Sequence, residues 1–492
     1  MPAGFSFDNS YARLPERFFA RLDPTPVAAP RLVALNGALA EGLGLDPDEL
    51  ASPEGVEILA GNQVPAGAAP IALAYAGHQF GHFVPQLGDG RAILLGQVVG
   101  RDGGRRDIQL KGSGPTPFSR NGDGRAALGP VLREYLVSEA MAALGVPTTR
   151  ALAAVTTGEA VQRETTLPGA VLTRVAASHI RVGSFQYFAA QGDAQAVRLL
   201  ADYAIARHYP EAAQDEHPYR ALLNCVVARQ AELVARWLLI GFVHGVMNTD
   251  NTSISGETID YGPCAFLDAY DPATVFSSID QAGRYAYANQ PRIAQWNLAR
   301  LAETLLALLA DGEEAALVVA REALAAFGPI FEAAYHGGLA RKIGLSTQRE
   351  GDGALAQDLL GRMAANGADF TLTFRRLSDA AAGPEGDGAM RALFTDPSAY
   401  DIWAARWRQR LDHEPRSKQA CRVAMRAVNP AFIARNHLVE AALKAAVEHQ
   451  DFGPFEELLG VLSRPYEDQP GFERFATPPG PQDRVYRTFC GT

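Results

Sequence analysis

The spacing of apolar positions changes several times along this chain, and each change marks a different kind of element. Between Leu32 and Leu43 apolar residues recur at roughly helical intervals inside a Pro- and Gly-containing stretch over residues 1–70. That texture predicts an irregular lead-in with one or two short helices. From Ala92 to Val99 the residues are apolar and β-branched, Arg101-Asp102-Gly103-Gly104 is a turn signal, and Asp107 to Lys111 alternates polar with apolar. This predicts a β-hairpin, with Ile108 and Leu110 on one face of its second strand and Gln109 and Lys111 on the other. After a Gly/Pro-rich stretch over 112–124, Leu128, Val131, Leu132, Tyr135, Leu136, Ala140, Met141 and Leu144 recur at helical spacing, and Gly145 with Pro147 closes that helix. Strand-like pieces follow at Ala151 to Val155 and Gly169 to Val175. From about Ala189 the chain is mostly Ala- and Leu-rich helix, interrupted by a strand-rich island between Gly245 and Leu267. The expected class is α+β: a small sheet-bearing lobe, then a larger helical one.

Composition narrows the setting. The 492 residues are 47% hydrophobic and 20% charged, the balance of a folded globular chain long enough for two or three packed units. No apolar run approaches the roughly 20 residues of a membrane span, and the opening residues lack a basic stretch followed by an apolar one. A soluble cytoplasmic protein, most simply a monomer with no membrane partner, is therefore expected. A net charge of -10 argues against nucleic-acid binding, which rests on basic patches. Cys225, Cys264, Cys421 and Cys490 form no C-x-x-C pair, so reduced thiols are expected. Only Lys111, Lys342, Lys418 and Lys444 are lysines, against 41 arginines, so a lysine here is an exception.

Three groups of residues carry candidate chemistry. Gly88-Asp89-Gly90-Arg91 precedes the first hairpin strand, and glycines there let backbone N–H groups approach a phosphate, although a strict G-x-G-x-x-G and a P-loop are both absent. Lys111 lies on the paired strand and Glu134 on the helix that follows. A strand lysine held by a helix glutamate is how kinase-like sites aim an ammonium at phosphates. Downstream, His244-Gly245-Val246-Met247-Asn248-Thr249-Asp250-Asn251 leads into Thr252 to Ser255, a Gly256-Glu257 turn, and Thr258 to Gly262. This reads as a loop feeding a hairpin whose second strand ends at Asp260. Asp250 supplies a carboxylate to orient or deprotonate a hydroxyl, while Asn251 and Asp260 supply hard oxygens for a divalent cation. Turn capping by Asn and Asp is the ordinary alternative. His78 and His82 are four apart, but Gly77 and Gly81 disfavour a helix and no third zinc ligand is evident. The Arg-rich segment from Ala404 to Arg426 reads as a solvated helix surface.

The blocks YAGHQFGHFVPQLGDGRA, DIQLKGSGPTPFSRNGDGRAALGPVLREY, HGVMNTDN with IDYGPCAFLD, and NQPRIAQWNLARL resemble the selenoprotein O family, densely from about Tyr75 to Leu301 and more loosely to the C-terminus. The resemblance implies a protein-kinase-like two-lobed fold and transfer of AMP from ATP to Ser, Thr or Tyr hydroxyls of target proteins, with pyrophosphate released. Its implied divisions are a lead-in (1–70), a nucleotide-binding N-lobe (71–185) and a helical C-lobe with a C-terminal extension (186–492). By the same resemblance Gly88, Gly90 and Arg91 contact nucleotide and Lys111 pairs with Glu134. Asp123, Gly124, Arg174 and Arg181 are the additional nucleotide-binding groups, Asp250 accepts the proton, and Asn251 and Asp260 bind Mg²⁺, with Mn²⁺ not distinguished. Cys490 sits where some members carry selenocysteine, but residues 271–280 hold Phe276 and no cysteine, so a redox latch there is not expected. The rival functions are a kinase moving the γ-phosphate, an inactive ATP-binding scaffold, and a non-enzymatic helical adaptor.

Overall fold

Both edges of the main sheet come from the segment expected to be an irregular lead-in. The computed structural model describes residues 4–489, and its first two strands are β1 (Phe19–Arg21) and β2 (Arg31–Leu35). Next come β3 (Ile71–Leu73), β4 (Gly77–Gln79), β5 (His82–Val84), β6 (Ala92–Val99), β7 (Arg105–Lys111), β8 (Ala126–Ala127), β9 (Arg150–Gln162) and β10 (Thr166–Ala176). The sheet runs β1-β3-β6-β7-β10-β9-β2 with antiparallel pairing, β8 adds to β10, and β4 with β5 forms a separate hairpin. The Leu32 to Leu43 spacing therefore spans two elements. Arg31–Leu35 pairs with β9, and the helix Gly37–Gly42 begins only after Asn36, whose side chain accepts from the Leu39 N–H at 3.1 Å as an N-cap. Long-range edge pairing overrode the helical period.

The predicted hairpin is present as β6 and β7, in register Ile93↔Leu110 and Leu94↔Gln109. Ile108 and Leu110 are fully buried in a core with Leu50, Ile58 and Leu152. Gln109 and Lys111 face the other side, where the helix Leu128–Ala143 packs through Val131, Leu132, Tyr135, Leu136 and Met141. Burying each such leucine contributes about 1.5–3 kcal/mol, which fixes this helix against the sheet and carries Glu134 inward with it.

The rest is mainly helical, including Val182–Ala190, Pro218–Leu239 and Gln290–Leu309. The expected hairpin over 252–262 does not form. The island's only strand is β12 (Ala265–Phe266), which pairs with β11 (Phe242–Val243) just before the island. Between them the backbone finds partners in the sheet-bearing region: Ile254 N–H donates to Ile180 O at 3.0 Å, Val182 N–H to Thr252 O at 2.9 Å, and Thr149 N–H to Thr258 O at 3.0 Å. Those bonds satisfy buried polar groups as a hairpin ladder would, and they stitch the segment leading to Asp260 to the residues just before β9 and just after β10. At the other end of the chain, Thr488 bridges to Ser277 in parallel, close to the same loop. Cys490 lies outside the described residues.

The Arg-rich segment forms the helices Pro397–Leu411 and Lys418–Arg426, and its arginines pair with acids of neighbouring elements, among them Arg410 with Asp352 at 2.6 Å and Arg426 with Asp379 at 2.7 Å. Among the described residues no helix is long and apolar enough to cross a membrane.

Candidate active site

Lys111 ends β7, and its ammonium lies 2.5 Å from Glu134 Oε2 and 3.2 Å from Asp260 Oδ1. Arg174 sits opposite Gln109 on β10, and its Nη1 donates to Glu134 Oε1 at 3.0 Å and to Asp260 Oδ1 at 2.6 Å. Its other nitrogens are held by Gln109 Oε1 at 2.6 and 3.2 Å. Arg181, preceding the helix Val182–Ala190, donates to Asp260 Oδ2 and to the backbone oxygen of Asp250. It also lies over the Tyr75 ring at 4.8 Å. Three cations thus meet two carboxylates directly, and the lining of the surrounding cavity carries eight Lys and Arg side chains against five Asp and Glu, a positive balance that favours an anionic ligand.

The electrostatics follow from that arrangement. Burial works to raise the Glu134 carboxyl, but the charges of Lys111 and Arg174 outweigh it and hold the group below its ordinary value. Asp260 is likewise opposed by burial, yet Arg181, Arg174 and Lys111 keep it far below the usual carboxylate range. Its φ of 62° lies in the left-handed region, which Asp tolerates better than most residues, and the three cations fix the side chain there.

Asp250 behaves in the opposite way. It is buried, burial pushes its carboxyl up to about 6, Gln79 donates to Oδ2 at 3.2 Å, and Oδ1 has no hydrogen-bond partner. The loop around it is tied to the β4–β5 hairpin: His78 N–H donates to Thr249 Oγ1 at 2.6 Å and Phe80 N–H to Asn248 Oδ1 at 3.0 Å. Gly77 makes this approach possible, since a Cβ there would fall 2.5 Å from Asp250 Oδ1. With Asp250 in the proton-acceptor role expected from the sequence, Gly77→Ala should displace it and lower kcat by roughly 10- to 100-fold, a 1 Å misplacement being worth about that much. Nucleotide affinity, measured alongside by titration, should stay unchanged.

The glycine-rich segments close the site. Gly88 has φ 66° and packs against Phe118 so tightly that a Cβ would lie 2.3 Å from the ring, while Gly124 (φ 66°) faces Gly114 O at 2.0 Å on the same test. Their first demand is thus close packing of the two loops on each other. Asp123 points to Arg163, at 2.8 Å. Gly88, Gly90, Arg91, Lys111, Asp123, Gly124, Glu134, Arg174, Arg181, Asp250, Asn251 and Asp260, all singled out from sequence, line one cavity of about 760 Å³.

Several contributors were given no role of their own in the sequence reading. Gln109 shares the Lys111 face of β7 and clamps Arg174, so the strand alternation already carried its signal. Asp89 is buried, pushed up to about 6 by burial, and bonded to Leu73 N–H and Gln109. Gln79, Tyr75 and Arg163 gave no sequence signal, because their partners lie far along the chain.

The two side chains expected to hold a metal, Asn251 and Asp260, both face the cavity. Asn251 donates its Nδ2 to Val246 O at 2.9 Å, which leaves Oδ1 as the acceptor end. No group of three or more His, Cys, Asp or Glu side chains suited to a metal occurs among the described residues, and His78 and His82 lie on a hairpin. This donor set fits a divalent cation shared with phosphate oxygens and waters, the usual habit of magnesium, and not an all-protein cage.

The sequence matches the family model described as Protein adenylyltransferase SelO over residues 3–463. It is 72% identical to a protein of Methylorubrum populi, and 68% identical to proteins of Rhodopseudomonas palustris and Bradyrhizobium diazoefficiens, each time over the whole of both chains. All three relatives are named Protein nucleotidyltransferase YdiU.

Proposed function

Since the chain belongs to the SelO protein adenylyltransferase family, we propose that the cleft described above is where AMP is moved from ATP to a hydroxyl of an acceptor protein. The chain is a nucleotidyltransferase, with ATP as substrate and a divalent cation required. The observation that carries the assignment of residues is the shared cavity. A net-positive cluster of Lys111, Arg174 and Arg181 shares it with a desolvated carboxyl, Asp250, whose Oδ1 is buried against Gly77 and whose Oδ2 takes the Gln79 hydrogen bond.

In this reading Asp250 accepts the acceptor hydroxyl's proton as its oxygen bonds to the α-phosphorus, and the bond to the β-phosphate breaks to release pyrophosphate. Lys111 and the two arginines trade contacts with Asp260 for contacts with phosphate oxygens, Arg forks matching such oxygens well. Gly88, Gly90 and Arg91 cover the nucleotide, and Asp123 and Gly124 shape the far end of the cradle. Asn251 and Asp260 would hold Mg²⁺, which when bound offsets charge on the phosphates. The strand lysine held by a helix glutamate supports a protein-kinase-like arrangement, with an N-lobe of 71–185, residues 1–70 packed on it, and a helical C-lobe of 186–492.

Full-length identity to nucleotidyltransferases favours AMP transfer over γ-phosphate transfer or an inactive scaffold. Incubation with ATP labelled at the α or the γ position tests it. Acid-stable protein label is expected from α only, and label from γ alone would return the kinase to first place.

A further inference from the structure

Beside the loop bearing Asp250, outside the lining of the nucleotide cavity, lies a cluster of aromatic rings and guanidiniums that the proposed nucleotide chemistry leaves unused. Trp296, on the helix Gln290–Leu309, makes an edge contact with His78 at 5.2 Å, and the guanidiniums of Arg284 and Arg300 lie 4.7 and 4.9 Å from its ring. His78 also contacts Phe83, its partner across the β4–β5 hairpin, which is 41% exposed. Arg300 pairs with Glu303. Arg284 makes no ion pair among the described residues, and its Nε is buried without a hydrogen-bond partner.

Arg284 is nonetheless held in place. Its Cζ would lie 3.6 Å from a Cβ on Gly81, at the hairpin turn, and it also lies 5.7 Å from the ring of Tyr285. Tyr285 in turn donates to Asn248 Oδ1 at 2.6 Å, two residues before Asp250, and accepts from Phe80 N–H at 3.1 Å. A preorganised guanidinium with no ion pair among the described residues thus sits beside the loop bearing the proposed proton acceptor. It is not among the residues lining the nucleotide cavity, where Arg91, Arg174 and Arg181 already face the phosphate site. In a chain of net charge -10, such a group selects for anions locally against general repulsion.

We infer that Arg284, framed by Trp296 and the β4–β5 turn, anchors a carboxylate of the acceptor polypeptide, so that hydroxyls with Asp or Glu within a few residues are preferred. The inference rests on the nucleotidyl-transfer reading and adds the class of acceptor. A guanidinium presents a bidentate fork to a carboxylate, and the aromatic wall of Trp296 and Phe83 offers apolar contact to flanking residues.

The test uses the full chain, α-labelled ATP and a positional-scanning library of short peptides, each with one Ser, Thr or Tyr. Wild type is expected to favour Asp or Glu at a flanking position several-fold. Arg284→Glu should lose about 10-fold in kcat/KM on acidic peptides, chiefly through KM, with basic flanks now preferred and the thermal shift with ATP unchanged. Arg284→Lys should keep part of the acidic preference. Sites mapped by mass spectrometry in lysate proteins give the same comparison for acceptors that need a folded context. A wild type indifferent to flanking charge, or an Arg284→Glu form with the original preference, overturns the inference while leaving AMP transfer standing. Absence of α-label on any peptide or protein sinks the transfer reading, and this one with it.

Discussion

Asp260→Ala should lower AMP transfer by a factor on the order of 10³ or more and, separately, destabilise the ligand-free protein by about 3–5 kcal/mol. The first effect follows from the loss of a proposed metal oxygen. The second comes from the ion-pair geometry: Asp260 is the shared partner of Lys111, Arg174 and Arg181, and the two arginine side chains are 2% and 3% exposed. Without it the three cations keep only Glu134 as a direct partner, with Asp89 farther off, and uncompensated buried charge is among the most costly defects a fold can carry. From sequence alone this variant is expected to leave the fold largely intact, on the argument that a metal-binding carboxylate serves the ligand. The geometry revises that half of the expectation, because the same side chain neutralises the site before any ligand arrives. Denaturant titration and α-label transfer measure the two effects independently. Wild-type stability in the variant would show the cation cluster to be held by other groups, and retained transfer would remove Asp260 from the metal site.

Asp250→Asn is expected to inactivate as well, by about 10²–10⁴-fold, the usual contribution of a positioned proton acceptor, but with the opposite sign in stability. Burial raises the Asp250 carboxyl from 3.8 to about 6, so the folded state disfavours its charged form. The penalty is absent below about pH 4, grows between pH 4 and 6, and is complete above that, reaching about 3 kcal/mol. An amide escapes it. The Asn variant should therefore be more stable than wild type by roughly 1–3 kcal/mol at pH 7, with the advantage shrinking at pH 5 and vanishing near pH 4. Wild-type kcat/KM should fall as pH drops below about 6, where the carboxylate is lost. A variant less stable than wild type at pH 7, or a flat rate profile from pH 5 to 7, would contradict the assigned environment of Asp250.

These two carboxylates lie ten positions apart in one segment, yet one stabilises the ligand-free fold and the other costs it free energy. The difference is in their neighbours. Asp260 faces β7 and β10, which bring Lys111 and Arg174, whereas Asp250 faces Gly77 and Gln79 on a neutral hairpin. Nothing in the residue types around them, one following Thr249 and the other following Ile259, separates the two roles.

The amino-acid sequence alone determined what depends on short range. The period-2 alternation at Asp107 to Lys111, the helical run carrying Glu134 and the turn at Arg101 to Gly104 all reflect local backbone geometry and one-sided burial, and all three formed as read. The family, too, was legible from dense motifs. Only the tertiary structure decided that Arg31–Leu35 is an edge strand, that residues 252–262 pair with the sheet region in place of folding into a hairpin, and that Gln79, Gln109 and Tyr75 support the site. Each of those outcomes depends on hydrogen bonds and charges between positions tens to hundreds of residues apart, and the free energy of such contacts exists only once the chain has closed the loops between them.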